Sequence, residues 1–302
     1  MTDPAARLSR AAGHAPPHLW FVISAVFHYL GPSFAVLLFP QVGVLGVAWF
    51  RIASAAAIFA LWTRPWRPFS SAPRERLVLL VQLGACLAVM NSVFYLAIDR
   101  LPLGLVATIE FIGTILIALL GLRTARNYAA LALAATGVFL LTHARWSSDP
   151  LGLAFALANG VLFMVYIVLG HRIARQGAGE GVERLAAAMA AAFVFVMPIG
   201  FAEAAEVLSD PMLVAAGIGV GVCSSVIPYV CDQLAMARLP RNSFALMLAL
   251  LPATATLIGA LVLAQMPTRG DLAGIALVMA GIAIHRPAAA SARERDASLA
   301  SA

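Results

Sequence analysis

Glu110 stands near the middle of GLVATIEFIGTILIALLG, residues 104–121, where a charged side chain facing lipid costs roughly 2.5–3.5 kcal/mol. It must be paired, protonated or turned toward water. A carboxylate so placed has two uses in chemistry, to carry a proton or to bind an ammonium group. On a helix it shares a face with Ala107, Gly113 and Thr114, whose small side chains leave space for a wet cavity or for a closely packed partner helix. Arg51 occupies a similar depth in VAWFRIASAAAIF and is the obvious counter-ion. Such a buried pair is also compatible with a structural role, because removing one partner leaves the other uncompensated.

Further polar side chains recur at helical spacing. Gly84, Ala88, Asn91 and Tyr95 form one stripe, and Ser225, Pro228, Tyr229 and Gln233 lie together on another run. Convergent groups of this type suit a small zwitterionic or polyhydroxyl solute better than a fatty one, although hydrogen bonding between helices would use the same residues. Asp232, beside Gln233, is a second candidate for proton coupling, and its place near the end of its run also fits simple solvation. His28, in SAVFHYLGPSF, is a third, because an imidazole titrates near neutral pH; a packed or interfacial role is its plainer reading. The Gly31-Pro32 pair just after it loosens the helical ladder.

Other chemistries lack their residues. The chain contains no lysine, which removes a phosphate-binding P-loop and a Schiff base. GIGVGVCSS carries Gly217, Gly219 and Gly221, but without a preceding strand it is a helix-packing segment and no dinucleotide loop. There is no H-E-x-x-H, no G-x-S-x-G and no Cys/His pair at ligand spacing, so neither an enzyme nor a metal site nor a cofactor is expected. Cys86, Cys223 and Cys231 fall inside apolar runs and read as packing residues.

The elements that must position these groups follow from composition. Of the 302 residues 62% are hydrophobic and 11% charged, against about a quarter charged in soluble domains, and mean hydropathy is +0.92. The chain reads as an all-α membrane protein, since only helices satisfy their own backbone in lipid as single segments. Apolar runs near 18–39, 41–62, 76–98, 101–122, 127–143, 150–171, 184–203, 212–235, 240–264 and 270–285 predict ten transmembrane helices of about 20 residues each. The first is too long for a signal peptide and reads as an uncleaved span. The net charge of +6 does not point to nucleic acid, because the arginines are spread by loop. Counted loop by loop, 16 fall on one face, against Arg100, Arg145 and Arg269 on the other. The positive-inside rule then puts both termini in the cytoplasm.

An internal repeat organises the runs. RLP occurs at Arg100–Pro102 and at Arg238–Pro240, and the same interval carries Leu96 and Ala97 onto Leu234 and Ala235, Thr114 onto Pro252 and Gly121 onto Gly259. It also carries Asn91 onto Tyr229 and Tyr95 onto Gln233, so both halves place hydrogen-bonding groups one turn apart. After a small insertion Gly137 matches Gly281. Five spans per half is an odd number, so the halves are inverted, as in secondary transporters with a midplane site. The expected organisation is a cytoplasmic segment 1–17, five-helix repeats at 18–146 and 147–286, and a disordered cytoplasmic tail at 287–302.

The stretches LFPQVGVLGVAWFRI (38–52), RPWR (64–67), LPLGLVATIEFIGT (101–114), SSVIPY (224–229) and ARLPRNSFALMLALLPATATLIG (237–259) resemble the EamA family of the drug/metabolite transporter superfamily, in particular its threonine and homoserine exporters of bacterial inner membranes. The resemblance implies ten helices in two inverted repeats, a cavity lined by helices one, three, four, six, eight and nine, and proton-coupled export of a small solute. The implied partners are that solute and the bilayer. The chain departs from the pattern at Thr114, where a proline is usual, and at Leu251 and Gln265, where carboxylates are usual; Asp232 keeps the family's acidic position. Glu110 is then the main acid left near the midplane. A facilitator or exchanger for another solute, and a non-transporting scaffold or partner subunit, are the alternatives; oligomeric state stays open.

Overall fold

The computed structural model describes residues 16–63, 66, 73–110, 124–146, 149–174, 181–236 and 251–284. Among the described residues every regular element is a helix. They are α1 Pro17–Val42, α2 Val44–Trp62, α3 Arg74–Ile98, α4 over 103–110, α5 Ala125–Trp146, α6 Pro150–Ala174, α7 Gly181–Glu206, α8, α9 Leu251–Leu263 and α10 Arg269–Ile284. α8 runs through Pro211–Gly221, a π-helical turn Val222–Val226 and Ile227–Met236. The helices coincide with the ten expected runs to within a few residues, except that 111–123 and 237–250 lie outside the described residues.

Local chemistry sets the ends. Prolines open α1 and α8 in the first turn, where a missing N–H costs nothing, and the Asp210 carboxylate accepts from the amides of Met212 at 2.8 Å and Leu213 at 3.3 Å. Gly43, at φ +82°, lets α1 turn directly into α2. The N-terminus of α2 is capped from another helix: Gly46 N–H donates to Glu203 Oε2 at 2.8 Å. Gln265, in the connection between α9 and α10, caps α4 in a similar way, accepting from Leu103 N–H at 3.0 Å.

Five of these helices are long and apolar enough to cross a bilayer: His18–Val42, Val44–Trp62, Arg74–Ile98, Arg184–Glu206 and Pro211–Cys231. Their outward faces carry large exposed hydrophobics, among them Leu37, Leu61, Val194 and Met212, a surface that water would not tolerate over so many elements. The chain is a multi-pass membrane protein.

α5 packs along α10, α2 along α7, α3 against α6 and α7, and α1 against α8 and α9. Glycines let backbones approach. A Cβ on Gly137 would meet Gly274 O and Val278, and one on Gly281 would meet Ala130 O and Ala134 N at 2.6 and 3.2 Å. These contacts are reciprocal, for the interval that carries Gly137 onto Gly281 carries Ala130 onto Gly274 and Ala134 onto Val278. α2 and α7 behave likewise. Gly46 faces Glu203 and Gly200 faces Trp49, and the interval from Gly46 to Gly200 also takes Trp49 to Glu203.

The apolar interior forms two clusters. One holds Tyr29, Phe39, Phe50, Phe94, Tyr95, Leu103, Ile109 and Leu153. The other holds Ile52, Phe59, Leu80, Leu87, Met90, Leu169, Met189 and Tyr229.

Candidate functional site

Where α2, α3 and α8 pass from one apolar cluster to the other, the residue at the change is polar. Arg51 separates Phe50 from Ile52, Asn91 and Ser92 separate Met90 from Phe94, and Ser224 and Ser225 lie between Val220 and Tyr229. On α6, Asn159 falls between Ala156 and Leu169. All of these polar residues are buried, so the seam is a polar layer closed over by hydrocarbon.

A proline organises its centre. Pro228 has no N–H to offer the carbonyl four residues back, so Ser224 O loses its helical donor. The backbone answers with a π-turn, in which Ile227 N–H donates to Val222 O. The freed carbonyl accepts from Arg51 Nη2 at 3.2 Å, and Arg51 Nε donates to Ser225 Oγ at 3.1 Å. The guanidinium also lies over the Tyr95 ring, 5.4 Å from its centroid, a stacking that favours a cation. Tyr95 is 0% exposed, and its hydroxyl stands 3.5 Å from Ser224 Oγ. α1 crosses here with Gly31 against the backbone of Ser224, while Ser24 Oγ donates to Pro228 O at 3.2 Å.

Glu110, 6% exposed, ends the described part of α4. Gly160 of α6 comes close to it, since a Cβ there would lie 3.8 Å from Glu110 Cα. Arg51, Asn159 and Tyr29 all stand near enough to act on its carboxyl. Yet no contact within 4.0 Å joins Arg51 to Glu110, whereas Arg100 and Asp149 do form an ion pair, at 3.9 Å near the surface. The expected counter-ion is therefore seated on the π-turn and acts on Glu110 across a gap. The Asn159 amide lies beside the Glu110 carboxyl, but among the described residues neither of its polar atoms meets hydrogen-bond geometry with any group, and the Tyr29 hydroxyl has no partner there either.

The structure thus gathers Glu110, Arg51, Tyr95 and Ser225 from the sequence candidates. His28 is half-buried next to Tyr29, at 5.3 Å between rings, and feels the Arg51 charge. Asn91 lies one turn from Tyr95 but donates its amide to Leu87 O of its own helix at 2.7 Å. Tyr229 packs in the second apolar cluster. Thr114 lies outside the described residues, as do the side chains of Asp232 and Gln233. Sequence reasoning missed Tyr29, Asn159 and Ser224. Pro228, four residues after Ser224, was the available signal for the last of these, and an asparagine inside the apolar run of α6 for the second. Among the described residues no group of three His, Cys, Asp or Glu side chains is placed to hold a metal.

Two of the departures from the family pattern have structural readings. Gln265 caps α4 through its side-chain oxygen, a task that a glutamine oxygen performs as a carboxylate would. Leu251 is buried at the start of the described part of α9. Two clefts lie elsewhere among the described residues: one of about 120 Å³ is lined by Pro102, Gly104, Thr256, Gln265 and Asp271, and a groove between α1 and α9 by Phe21, Ala25, Ala253 and Leu257. Neither is lined by Glu110 or Arg51, both of which are buried.

Residues 150–285 match the EamA-like transporter family. The chain is 34% identical to the threonine/homoserine exporter RhtA of Escherichia coli (strain K12) over 83% of this chain and 84% of that one. It is 33% identical to the threonine/homoserine exporter RhtA of Salmonella typhimurium (strain SL1344) over the same shares. A protein of known crystal structure, 20% identical in sequence, superposes with a TM-score of 0.51 over 88% of this chain and 96% of its own, which is a likeness of fold.

Proposed function

The chain belongs to the EamA-like transporter family and is a transporter rather than an enzyme, and on that premise we propose that it exports a small amino acid such as threonine or homoserine from the cytoplasm by proton-coupled alternating access. The observation that carries this reading is the polar layer: a buried carboxylate and a buried guanidinium, unpaired with each other, at the seam between two apolar clusters. Intramembrane ionisable groups are functional by default, because their burial is costly. Glu110 holds a proton or the solute's ammonium group in turn, which couples the two fluxes. Tyr95 and Ser225 border the solute, with Asn91, Thr114, Tyr229 and Gln233 as further binding candidates and His28 and Asp232 as auxiliary proton carriers.

The scaffold in this reading is ten spans in two inverted halves, 18–146 and 147–286, with both termini in the cytoplasm of a bacterium's inner membrane. The reciprocal glycine contacts of α5 with α10 and of α2 with α7 support it, since a two-fold relation between halves generates such pairs. Rocking of one half on the other would open the buried layer to each side in turn.

The test is efflux of radiolabelled L-threonine and L-homoserine from proteoliposomes under an imposed pH gradient. Protons moving against the solute should accelerate efflux, and collapsing the gradient should slow it to the passive rate. Efflux that ignores the gradient would leave a facilitator. Absence of flux for either amino acid would remove the proposed solutes.

A further inference from the structure

Arg51 holds α8 with one edge of its guanidinium and keeps the other. Nε reaches Ser225 Oγ and Nη2 reaches Ser224 O, so the edge formed by Nε and Nη2 is engaged by the π-turn. A guanidinium carries five N–H groups in a rigid plane. Among the described residues none accepts from Nη1 or from the second Nη2 hydrogen. That remaining edge is a fixed, planar two-donor fork of the kind that matches a carboxylate. Tyr95 beneath the plane and the two serine contacts hold it in position before any ligand arrives.

The carboxylate closest to hand does not close the fork, because Glu110 stands beyond 4.0 Å from it. Around Glu110 the structure leaves other groups unsatisfied. Among the described residues neither amide atom of Asn159, 1% exposed, has a hydrogen-bond partner, and neither does the hydroxyl of Tyr29, 0% exposed. Buried polar atoms left unpaired are costly, and in native structures they ask for a reason. A cation fork, an acid and two orphaned hydrogen-bonding groups, gathered in one closed layer, are complementary to a solute bearing both charges.

We infer that Arg51 is the carboxylate anchor of the transport site: the solute's α-carboxylate docks on the free Nη1–Nη2 edge while its ammonium group meets Glu110, and Asn159 and Tyr29 bind its remaining polar atoms. The inference rests on the export function proposed above and gives Arg51, until now a structural residue, the reading of the α-carboxylate. Because Nε and Nη2 stay on Ser225 and Ser224, docking leaves the π-turn intact.

The experiment is equilibrium binding to the purified full-length protein of L-threonine, of L-threoninamide, whose carboxylate is neutralised, and of 3-hydroxybutyrate, which lacks the ammonium group. Wild-type protein should prefer L-threonine to L-threoninamide by at least about tenfold, the scale of one charge-assisted hydrogen-bonded pair. Arg51→Gln should bring that ratio to about one while keeping the preference over 3-hydroxybutyrate; Glu110→Gln should do the converse. Arg51→Lys, which keeps the charge and loses the second edge, should fall between. If Arg51→Gln does not fold, the wild-type ratio and the lysine variant decide. Wild-type protein that binds L-threonine and its amide alike, or an Arg51→Gln or Arg51→Lys protein with the full wild-type ratio, overturns the inference and leaves the export reading standing. Wild-type protein that binds none of the three overturns both.

Discussion

At the scale of the residue, the arrangement turns on one missing hydrogen. Pro228 cannot donate to Ser224 O, and Arg51 supplies the donor from a different helix. Replacing Arg51 by Gln should therefore destabilise the protein by about 1–3 kcal/mol, the cost of an orphaned buried carbonyl, read as a lower unfolding midpoint in detergent. The same substitution in a Pro228→Ala background should cost less, because alanine at that position restores the backbone N–H. A double-mutant cycle with no coupling between the two positions would refute the link. Glu110→Gln makes a separate prediction: an inserted, folded protein whose solute flux no longer responds to a pH gradient. Much of this was legible in the sequence as isolated facts, for an acid and an arginine inside apolar runs declare themselves by their cost. Their partners were not legible. The arginine pairs with the acid in the sequence because opposite charges are the plainest sign of a distant contact, whereas the serine carbonyl that holds it is invisible without the proline's consequence being followed. Asn159 and Tyr29 went unnoticed because a lone amide or phenol in a span is ordinary until its surroundings leave it unpartnered.

At the scale of the element, close approach is what glycine provides. A Cβ on Gly281 would press on Ala130 O at 2.6 Å, whereas one on Gly219 would meet nothing within 4 Å. Gly281→Ala should lower stability by about 1–3 kcal/mol through overpacking, and Gly219→Ala should be neutral or slightly stabilising, since alanine favours helix by about 1 kcal/mol. Thermal unfolding of the two purified variants checks the contrast, and equal midpoints would contradict the α5–α10 contact. The cap on α2 gives a second comparison. Glu203→Ala should cost about 0.5–2 kcal/mol, while Glu203→Gln keeps an acceptor for Gly46 N–H and should cost less. Helix positions were readable to within a few residues, because apolar runs and proline or glycine boundaries are local. The caps from Glu203 and Gln265 were not, since each joins segments far apart in sequence; the departure at Gln265 reads as a lost transport acid until its place at the head of α4 gives it a structural use.

At the scale of the whole molecule, two apolar clusters with a polar layer between them form a body that stores its chemistry away from both lipid and water. Transport requires that this layer open. In the proposed topology both termini lie in the cytoplasm, the side that the arginine-rich loops favour, so reporters fused at either end should be active only in forms that work there. The account depends above all on whether the layer is reachable from each side in turn, and accessibility of one engineered thiol measures that directly. With Cys86, Cys223 and Cys231 removed, Ser225→Cys should be labelled by a membrane-impermeant thiol reagent in both right-side-out and inside-out vesicles, and L-threonine should slow the labelling. A thiol at 225 that stays unlabelled from both faces, or from one face under every gradient and solute condition, would contradict alternating access at this site.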